Sequence, residues 1–588
     1  MTAFELWAPS AAAVDLDLGG KRKAMRRQGE WWRLDVPSAG PGTDYAFVVD
    51  GGEPLPDPRS PWQPQGIHGP SRVVDHAEFS WSDAGWRPPD LARGVVYELH
   101  VGTFSPEGTF DGARSRLDHL AALGITHVEL MPVAEFSGDR GWGYDGVDLY
   151  APKSTYGGPD GLKRLVDECH RRGLAVLLDV VYNHLGPAGN HLGRFAPYFT
   201  ERHRTPWGSA MNLDKAGSDE VRRFFCDNAL GWLRDYHFDG LRLDAVHALI
   251  DQSAVHFLEQ LAAEVQALEG EVGRPLVLVG ESDLNDPRLV RGRDEGGYGL
   301  HAQWSDDFHH ALHAFVTGER GGYYADFGRL ADVAAALERV FVFDGRYSAH
   351  RGRRHGRPAG GLARSRFLGY LQNHDQVGNR AGGERSASLA AEAPLRAAAA
   401  LVLLAPFVPM LFQGEEWGTR APFLYFTDHR DAELAEAVRT GRRREFATFG
   451  WDPDSVPDPQ DERTFLRSKL PWEERDREPH RGLLEWHRRL VALRRSIPGL
   501  SDGRPSATRV RFDEQRRWLA MDRGEVTVVC NFAGARQRVR LEPGRPREIL
   551  AACVHPALYE DGVEMDPGAI VLGPTGIPGS VRAATTAG

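Results

Sequence analysis

Residues 162–181 of this 588-residue chain read LKRLVDECHRRGLAVLLDVV and contain the alternation that decides the fold. One helix face is marked by apolar side chains three and four positions apart: Leu162, Leu165, Val166 and Cys169. Gly173 is placed to end that helix. The run Leu174–Val181 that follows is almost wholly apolar, which is typical of a parallel strand buried on both faces. This order predicts an α/β fold in which helices cover a parallel sheet.

The same alternation extends in both directions from this stretch. Seven more apolar runs have the length of strands: Val95–Leu99, Ile125–Met131, Phe238–Ala245, Leu276–Gly280, Leu300–Trp304, Phe367–Leu371 and Val408–Phe412. Eight strand–helix units over about 400 residues are the size of a (β/α)8 TIM barrel with insertions in its loops. We therefore predict such a barrel over residues 91–500.

The two flanks of the predicted barrel have a different rhythm. Before residue 90, runs such as Phe4–Trp7 and Tyr45–Asp50 are interrupted every few residues by Gly, Pro or Asp, as in small antiparallel sandwiches. After residue 500, Trp518–Met521 and Val526–Phe532 have the length and composition of strands. The sequence thus predicts an N-terminal β-sandwich over residues 1–90 and a C-terminal β domain over residues 501–588.

Composition narrows the classes of function and location. The formal net charge of −11 is not the electrostatic footprint of a protein that binds nucleic acid or an anionic membrane, whereas a neutral sugar is indifferent to it. The cysteines are few and widely separated: Cys169, Cys226, Cys530 and Cys553. We interpret them as apolar fillers in a reducing compartment. With neither a secretory leader nor a membrane-length apolar run in the sequence, we expect a cytoplasmic protein.

Four of the predicted strands end in a polar segment that contains a carboxylate. These segments are Asp179–His184, Gly240–His247, Val279–Asp283 and Gln372–Gln376, after the third, fourth, fifth and seventh strands. The carboxyl ends of all barrel strands face the same end of the barrel, where the following loops build the pocket. We therefore expect the four segments to converge on one site.

Cleavage of a glycosidic bond requires a set of this kind. One carboxylic acid protonates the leaving oxygen, while a second carboxylate attacks or stabilises the oxocarbenium-like centre. A third can hold sugar hydroxyls and raise the pKa of the acid through like-charge proximity. Arg242 precedes Asp244 by two residues, so both side chains share one face of a strand. A guanidinium there would keep Asp244 ionised for nucleophilic attack.

The four segments resemble the short signature regions of the α-amylase superfamily of glycoside hydrolases, and the resemblance covers nearly the whole predicted barrel. It implies a retaining reaction with Asp244 as nucleophile, Glu281 as general acid/base and Asp375 as the carboxylate that grips the sugar. It also implies a set of residues that orient the sugar or stack on it: Arg242, His184, His374 and Tyr144. The predicted N-terminal sandwich resembles the module that precedes the barrel in glycogen-branching and debranching members.

Three further sequence segments indicate which family of the superfamily the chain resembles. Residues 302–310 (AQWSDDFHH), 373–380 (NHDQVGNR) and 422–429 (PFLYFTDH) resemble the family of maltooligosyltrehalose trehalohydrolases. The resemblance implies cleavage of the α-1,4 bond next to the terminal trehalose unit of maltooligosyl trehalose, with release of trehalose. It also implies that the glucan subsites are lined by a set of loop residues: Val246, His247, Asp251, Asp306, Asp307, Phe308, His309, His310, His374, Gln376, Val377, Gly378 and Asn379.

Several alternatives remain open at this point. Asp306–His310 could ligate a metal ion, but adjacent residues rarely all face one ion, so we favour sugar binding and expect no metal or other cofactor. A 1,4-α-glucan branching transferase and a non-catalytic glucan-binding scaffold are the alternative functions. Among the aromatic residues we predict that Tyr144 and Trp304 stack on sugar, whereas Trp142 and Trp207 serve packing. The basic segment Arg351–Arg357 is interpreted as a solvated loop at the rim.

Overall fold

At the centre of the computed structural model, which describes residues 2–448, 456–542 and 548–574, eight parallel strands close into a barrel in chain order. We number them β1 to β8: Val96–Leu99, His127–Leu130, Ala175–Val180, Gly240–Leu243, Val277–Gly280, Ala302–Trp304, Phe367–Gly369 and Val408–Phe412. Each strand lies within one of the eight predicted apolar runs. The prediction of a (β/α)8 barrel is confirmed.

The stretch quoted first folds as its pattern predicts. The helix Gly158–Arg171 buries its apolar face, and Gly173 follows it with φ of 74°, a left-handed conformation that glycine adopts without steric cost. The α-helices of the described residues are Val101–Phe104, Phe110–Arg114, Leu117–Leu123, Gly158–Arg171, Leu192–Phe195, Ser218–Asp235, Phe257–Val272, Asp306–Thr317, Leu330–Arg339, His374–Gly378, Ser386–Leu389, Glu392–Leu403, Ala432–Thr448, Glu462–Arg467 and His480–Ser496. None of them is both long enough and apolar enough to cross a membrane.

The side chains of the barrel strands alternate between the helix layer and the barrel interior. An apolar group fills the interior: Val96, Val279, Ala302, Trp304, Leu368, Tyr370, Val408 and Met410. On β1, Glu98 lies two residues beyond Val96 and is buried. Glu129 on β2 and Asp179 on β3 are buried as well. Arg242 completes this polar level. The sequence thus places charged groups directly above an apolar plug, at the end of the barrel where the pocket forms.

The N-terminal segment forms two antiparallel sheets, as predicted. One contains Thr2–Trp7, Trp31–Val36 and Arg26–Gln28, and the other contains Lys21–Ala24, Val14–Leu18, Asp44–Val49, Pro54–Leu55 and Ser71–Arg72. Arg59 joins this segment to the barrel, because its Nη1 lies 2.8 Å from Asp227 Oδ2 and 3.0 Å from Tyr150 Oη. The sheets therefore pack against the helix layer through a charged and aromatic contact.

The C-terminal segment is also built of strands. Its larger sheet contains Thr508–Asp513, Trp518–Arg523, Val526–Asn531, Gly568–Gly573 and Glu548–Ala552, and its smaller sheet contains Gln537–Arg540, Gly562–Met565 and Ala557–Tyr559. The predicted β architecture of this segment is confirmed for the described residues up to 574, and residues 543–547 and 575–588 of the predicted unit lie outside them.

Three short strand pairs lie in the loops that follow barrel strands. Ala134–Phe136 pairs with Gly146–Pro152 after β2, and Phe199–Thr205 pairs with Gly208–Met211 after β3. Between β6 and β7, Tyr347–Ser348 pairs with Arg353–Arg354, so the basic segment predicted as a loop contains one arm of a small hairpin. These insertions rise around the carboxyl ends of the strands.

Candidate active site

Arg242 on β4 lies at the centre of the pocket end of the barrel. Its side chain is fully buried, and its guanidinium carbon lies 4.2 Å from the centroid of the Trp304 ring. Nη1 lies 2.6 Å from Asp179 Oδ2 and 2.9 Å from Asp244 Oδ1, and Nη2 lies 2.8 Å from Glu281 Oε2. One cation therefore holds carboxylates from the ends of β3, β4 and β5 around itself.

Asp244 is held in its ionised form. Burial by itself raises its pKa, but the charges of Arg242 and His184 outweigh burial and bring the pKa below the usual value. The Asn183 amide adds to this effect by donating a hydrogen bond of 2.6 Å to Asp244 Oδ2. A buried carboxylate that stays ionised at neutral pH is suited to nucleophilic attack.

The pKa of Glu281 is shifted in the opposite direction. Burial raises its pKa well above the usual value, and the negative charges of Asp244 and Asp375 add to the rise, although Arg242 opposes it. The backbone N–H of Ala245 donates to Glu281 Oε2 at 2.7 Å. Ala245 has φ of 38°, so the loop after β4 holds this donor in a strained left-handed conformation. Two neighbouring carboxyl groups whose pKa values are driven apart are suited to act as an acid and a nucleophile.

Asp375 is placed by the short helix His374–Gly378 after β7. Asn379 Nδ2 donates to Asp375 Oδ1 at 3.1 Å, and His374 Nε2 lies 3.5 Å from the same oxygen. His374 in turn donates from Nδ1 to Glu98 Oε1 at 2.5 Å. Burial lowers the pKa of His374, but the charges of Asp375 and Glu98 raise it to about 9 overall. A protonated imidazole therefore lies beside the third carboxylate.

Two aromatic residues, Tyr144 and Trp207, lie beside the candidate catalytic carboxylates. Tyr144 donates from its hydroxyl to Asp179 Oδ2 at 2.5 Å, and its ring stacks on His374 with centroids 5.1 Å apart. His184 is fixed by Asn183 Oδ1 and by the carbonyl oxygen of Tyr144, 3.0 Å from Nε2. Trp207 stacks on His184 at 4.9 Å and is 48% exposed. Sequence reasoning assigned Trp207 to packing, whereas the hairpin after β3 presents its ring to solvent beside the pocket.

The structure corrects the expected sugar contact of three residues on the helix Asp306–Thr317. Asp307, Phe308 and His309 are buried. Asp307 Oδ2 accepts hydrogen bonds from the Asn285 amide and from the backbone N–H groups of residues 342 and 343. His309 is bonded to a backbone carbonyl and to the Tyr324 hydroxyl. The polar groups of Asp307 and His309 are thus satisfied inside the protein and Phe308 is packed in the core, so all three residues lie beneath the surface of the site.

Further corrections concern predicted subsite residues that are packed or bonded inside the protein. Val246 and Val377 are buried among apolar neighbours, and Asp251 accepts from the Arg222 side chain at 2.5 Å. Gly378 packs so closely on Trp142 that an added Cβ would lie 2.0 Å from the indole ring. Trp304, expected to stack on sugar, is 1% exposed and lies under Arg242 instead. Direct contact with substrate is therefore excluded for Trp304 in this conformation.

Apart from His310, the remaining predicted residues lie at the surface or margin of the site. His247 is exposed, and Asp306, Gln376 and Asn379 are half-buried, whereas His310 is buried. Asp306 accepts from the Tyr370 hydroxyl, and burial raises its pKa to about 6. Four of the predicted loop residues, His247, Asp306, Gln376 and Asn379, are thus at least partly exposed at this end of the barrel.

The rim contains one contact that the sequence did not predict. Arg351, in the hairpin between β6 and β7, places Nη1 2.9 Å from Asp283 Oδ2, two residues beyond Glu281. Burial raises the pKa of Asp283, but the Arg351 charge lowers it overall. The basic segment therefore contacts and holds the loop that carries Glu281.

Comparisons with known proteins agree with this fold. Residues 75–196 match the family model of the alpha amylase catalytic domain, and residues 504–575 match a domain of unknown function, DUF3459. The solved structure of a putative alpha amylase from Salmonella typhimurium is 40% identical, with a TM-score of 0.89 and coverage of 97% of each chain.

Similarity to named relatives is close and spans nearly the whole chain. The malto-oligosyltrehalose trehalohydrolase of Arthrobacter ramosus is 54% identical over 531 residues, which is 89% of this chain and 92% of that protein. The protein of the same name from Rhizobium sp. (strain M-11) is 49% identical over 573 residues, 96% of each. The chain therefore belongs to the malto-oligosyltrehalose trehalohydrolase family, within the α-amylase superfamily of glycoside hydrolases.

Proposed function

We propose that the chain hydrolyses the α-1,4 bond next to the terminal trehalose unit of maltooligosyl trehalose and releases trehalose. The observation that carries this proposal is the pair Asp244 and Glu281, whose pKa values move in opposite directions around one guanidinium. The proposed substrate rests on family membership, because relatives that align with nearly the whole chain are named malto-oligosyltrehalose trehalohydrolases.

The geometry supports a retaining reaction in two steps. In the first, Glu281 donates its proton to the glycosidic oxygen while Asp244 attacks the anomeric carbon, so trehalose departs and a glycosyl–enzyme ester forms. In the second, ionised Glu281 takes a proton from water, whose oxygen attacks the same carbon and releases Asp244. Two inversions give overall retention.

The neighbouring residues hold the sugar during both steps. Asp375 is partly exposed, with Asn379 and protonated His374 beside it, so its carboxylate can accept hydrogen bonds from vicinal hydroxyls and stabilise the positive charge of the transition state. Tyr144 presents an aromatic face next to His374. We propose that His247, Asp306 and Gln376 supply further hydrogen bonds to glucose units, and that His184, whose ring nitrogens are bonded to Asn183 and Tyr144, acts by holding the Trp207 ring.

Product analysis tests this function directly. Maltotriosyl trehalose should yield maltotriose and trehalose, at a rate at least about tenfold higher than maltopentaose is cleaved, because polar groups of a trehalose-shaped subsite stay unpaired with a maltose unit. Chromatography of early time points measures both rates. Equal rates would indicate a general amylase, and new α-1,6 linkages on amylose would indicate a branching transferase.

Trp207 provides a separate prediction about substrate binding. Its ring is exposed and held by His184, so Trp207→Ala should remove about 1 kcal/mol of stacking and raise KM about fivefold, with kcat less affected. Trp207→Phe, which keeps an aromatic face, should retain most of the affinity. A large fall in kcat at unchanged KM in Trp207→Ala would contradict a binding role.

We also propose the organisation and location that accompany this function. The division into residues 1–90, 91–500 and 501–588, with the first unit as a glucan-binding-like module, is supported by sheets on either side of the barrel. A cytoplasmic location is supported by four cysteines that form no disulfide. Limited proteolysis would test the unit boundaries, and fractionation of cells would test the location.

A further inference from the structure

Glu129 on β2 is a buried carboxyl group that the proposed mechanism does not use. Its Cα is the register partner of Glu98 on the neighbouring strand β1, and both residues point into the barrel. Adjacent strands lie about 4.8 Å apart, so the two carboxyl groups start side by side. Each residue is only 1% exposed. Two acids thus lie at one buried level beneath the candidate catalytic carboxylates.

The cations at this level are already engaged by other carboxylates. His374 donates to Glu98 through both Nδ1 and its backbone N–H. Arg242 contacts Asp179, Asp244 and Glu281. Neither carboxyl oxygen of Glu129 has a hydrogen-bond partner among the described residues. The two cations nearest Glu129 are therefore paired with other carboxylates and not with Glu129.

An ionised Glu129 does not fit these surroundings. A buried carboxylate without a partner costs several kcal/mol, and Glu98 beside it would add repulsion. Charged groups face it from β1 (Glu98), β3 (Asp179), β4 (Arg242) and the helix after β7 (His374). Burial and then Glu98 raise the pKa of Glu129 well above its usual value, against the opposing effect of Arg242 and His374.

We propose that Glu98 and Glu129 form an acid pair that holds one proton, carried by Glu129, and that Glu129 is a positioning residue for His374. A neutral Glu129 does not compete with Glu98 for His374, nor with the three carboxylates around Arg242. Its hydroxyl can donate within the pair or to a buried water. The single negative charge of Glu98 then holds His374 beside Asp375, so the kinetic part of this inference rests on the proposed function.

Infrared difference spectroscopy of the full chain tests the protonation state without any assay of activity. The spectrum of wild type minus Glu129→Gln should contain the C=O stretch of a carboxylic acid from about pH 5 to about pH 8. The exposed Glu271 on helix Phe257–Val272 gives the matched control, since Glu271→Gln should remove a carboxylate band. Loss of a carboxylate band from Glu129→Gln would overturn the proposal.

Kinetics of two substitutions test the positioning role. Glu129→Gln should keep kcat within about threefold of wild type, because a neutral polar head of the same size remains. Glu129→Leu should lower kcat about tenfold or more, since nothing then hydrogen-bonds beside Glu98. Equal kcat in both variants would overturn the role. If Glu129→Leu does not fold, the pKa of His374 in Glu129→Gln, measured by NMR, tests the proposal instead. This pKa should be the same as in wild type. A fall of about one unit or more would show that Glu129 is ionised in wild type and would overturn the proposal.

Discussion

Glu281→Gln should lower kcat on maltooligosyl trehalose about 10³-fold or more, with a much smaller change in KM. The amide matches the carboxyl group in size and can still accept the hydrogen bond from the Ala245 N–H, so the loop geometry survives. What is lost is the proton that reaches the leaving oxygen. That interaction exists only in the transition state, and its loss therefore appears in kcat.

The pH dependence of the wild-type enzyme follows from the same residue. Glu281 must be protonated in the first step, and burial raises its pKa well above the usual value, so the proton is retained towards neutral pH. Activity should fall as the pH rises through this elevated pKa, because the acid form is then lost. Glu281→Gln should lack this alkaline limb, which a pH profile of kcat would measure.

A substrate that needs no acid gives the decisive control. Fluoride leaves without protonation, so Glu281→Gln should form the glycosyl–enzyme from an α-maltooligosyl fluoride at close to the wild-type rate. Asp244→Ala should fail on both substrates, because the attacking oxygen itself is absent. If Glu281→Gln were as impaired on the fluoride as on the glycoside, the assignment of Glu281 as acid would be wrong.

The barrel could be predicted from sequence because its strands are buried on both faces and appear as unbroken apolar runs between capped helices. The three carboxylates could be predicted because strand ends converge in a barrel, so position along the chain implies position in space. The roles of Asp244, Glu281 and Asp375 remain predictions, and their environments agree with them.

The loop residues could not be predicted in the same way, because neighbours in sequence point in different directions. A helix begins at Asp306, and this rotates Asp307, Phe308 and His309 into the interior. The burial of Trp304 had a usable signal, since it shares its inward phase on β6 with Ala302. Trp207 had none, because its exposure depends on how the hairpin after β3 folds back.

Arg242→Met should have the largest effect on stability and activity together. The guanidinium contacts Asp179, Asp244 and Glu281 within the barrel, and methionine fills similar space without charge. Removing one partner of a buried ion pair costs about 3–5 kcal/mol of unfolding free energy. We also expect kcat to fall at least about 10³-fold, since Asp244 would lose the charge that keeps it ionised.

The sign of the pH effect distinguishes this mechanism from simple loss of packing. In wild type the pKa of Asp244 is lowered, so its contribution to stability is present above the unfolded-state pKa and is lost as the pH falls through the folded-state value. Without Arg242 the buried carboxyls favour their protonated forms. In denaturant titrations, the free energy of unfolding of the variant should therefore be much lower than that of wild type at neutral pH, and this difference should shrink as the pH is lowered.

Arg274 provides the matched control at the opposite end of the barrel. It is also a buried arginine, with Nη1 2.9 Å from Asp239 Oδ1, and Asp239 immediately precedes β4, whereas Asp244 and Glu281 follow the carboxyl ends of β4 and β5. Arg274→Met should lower the free energy of unfolding while the folded fraction keeps its kcat. An equal loss of kcat in both variants, each measured where the protein is folded, would mean that Arg242 acts only as structure. A loss confined to Arg242→Met ties the charge of that residue to the reaction itself.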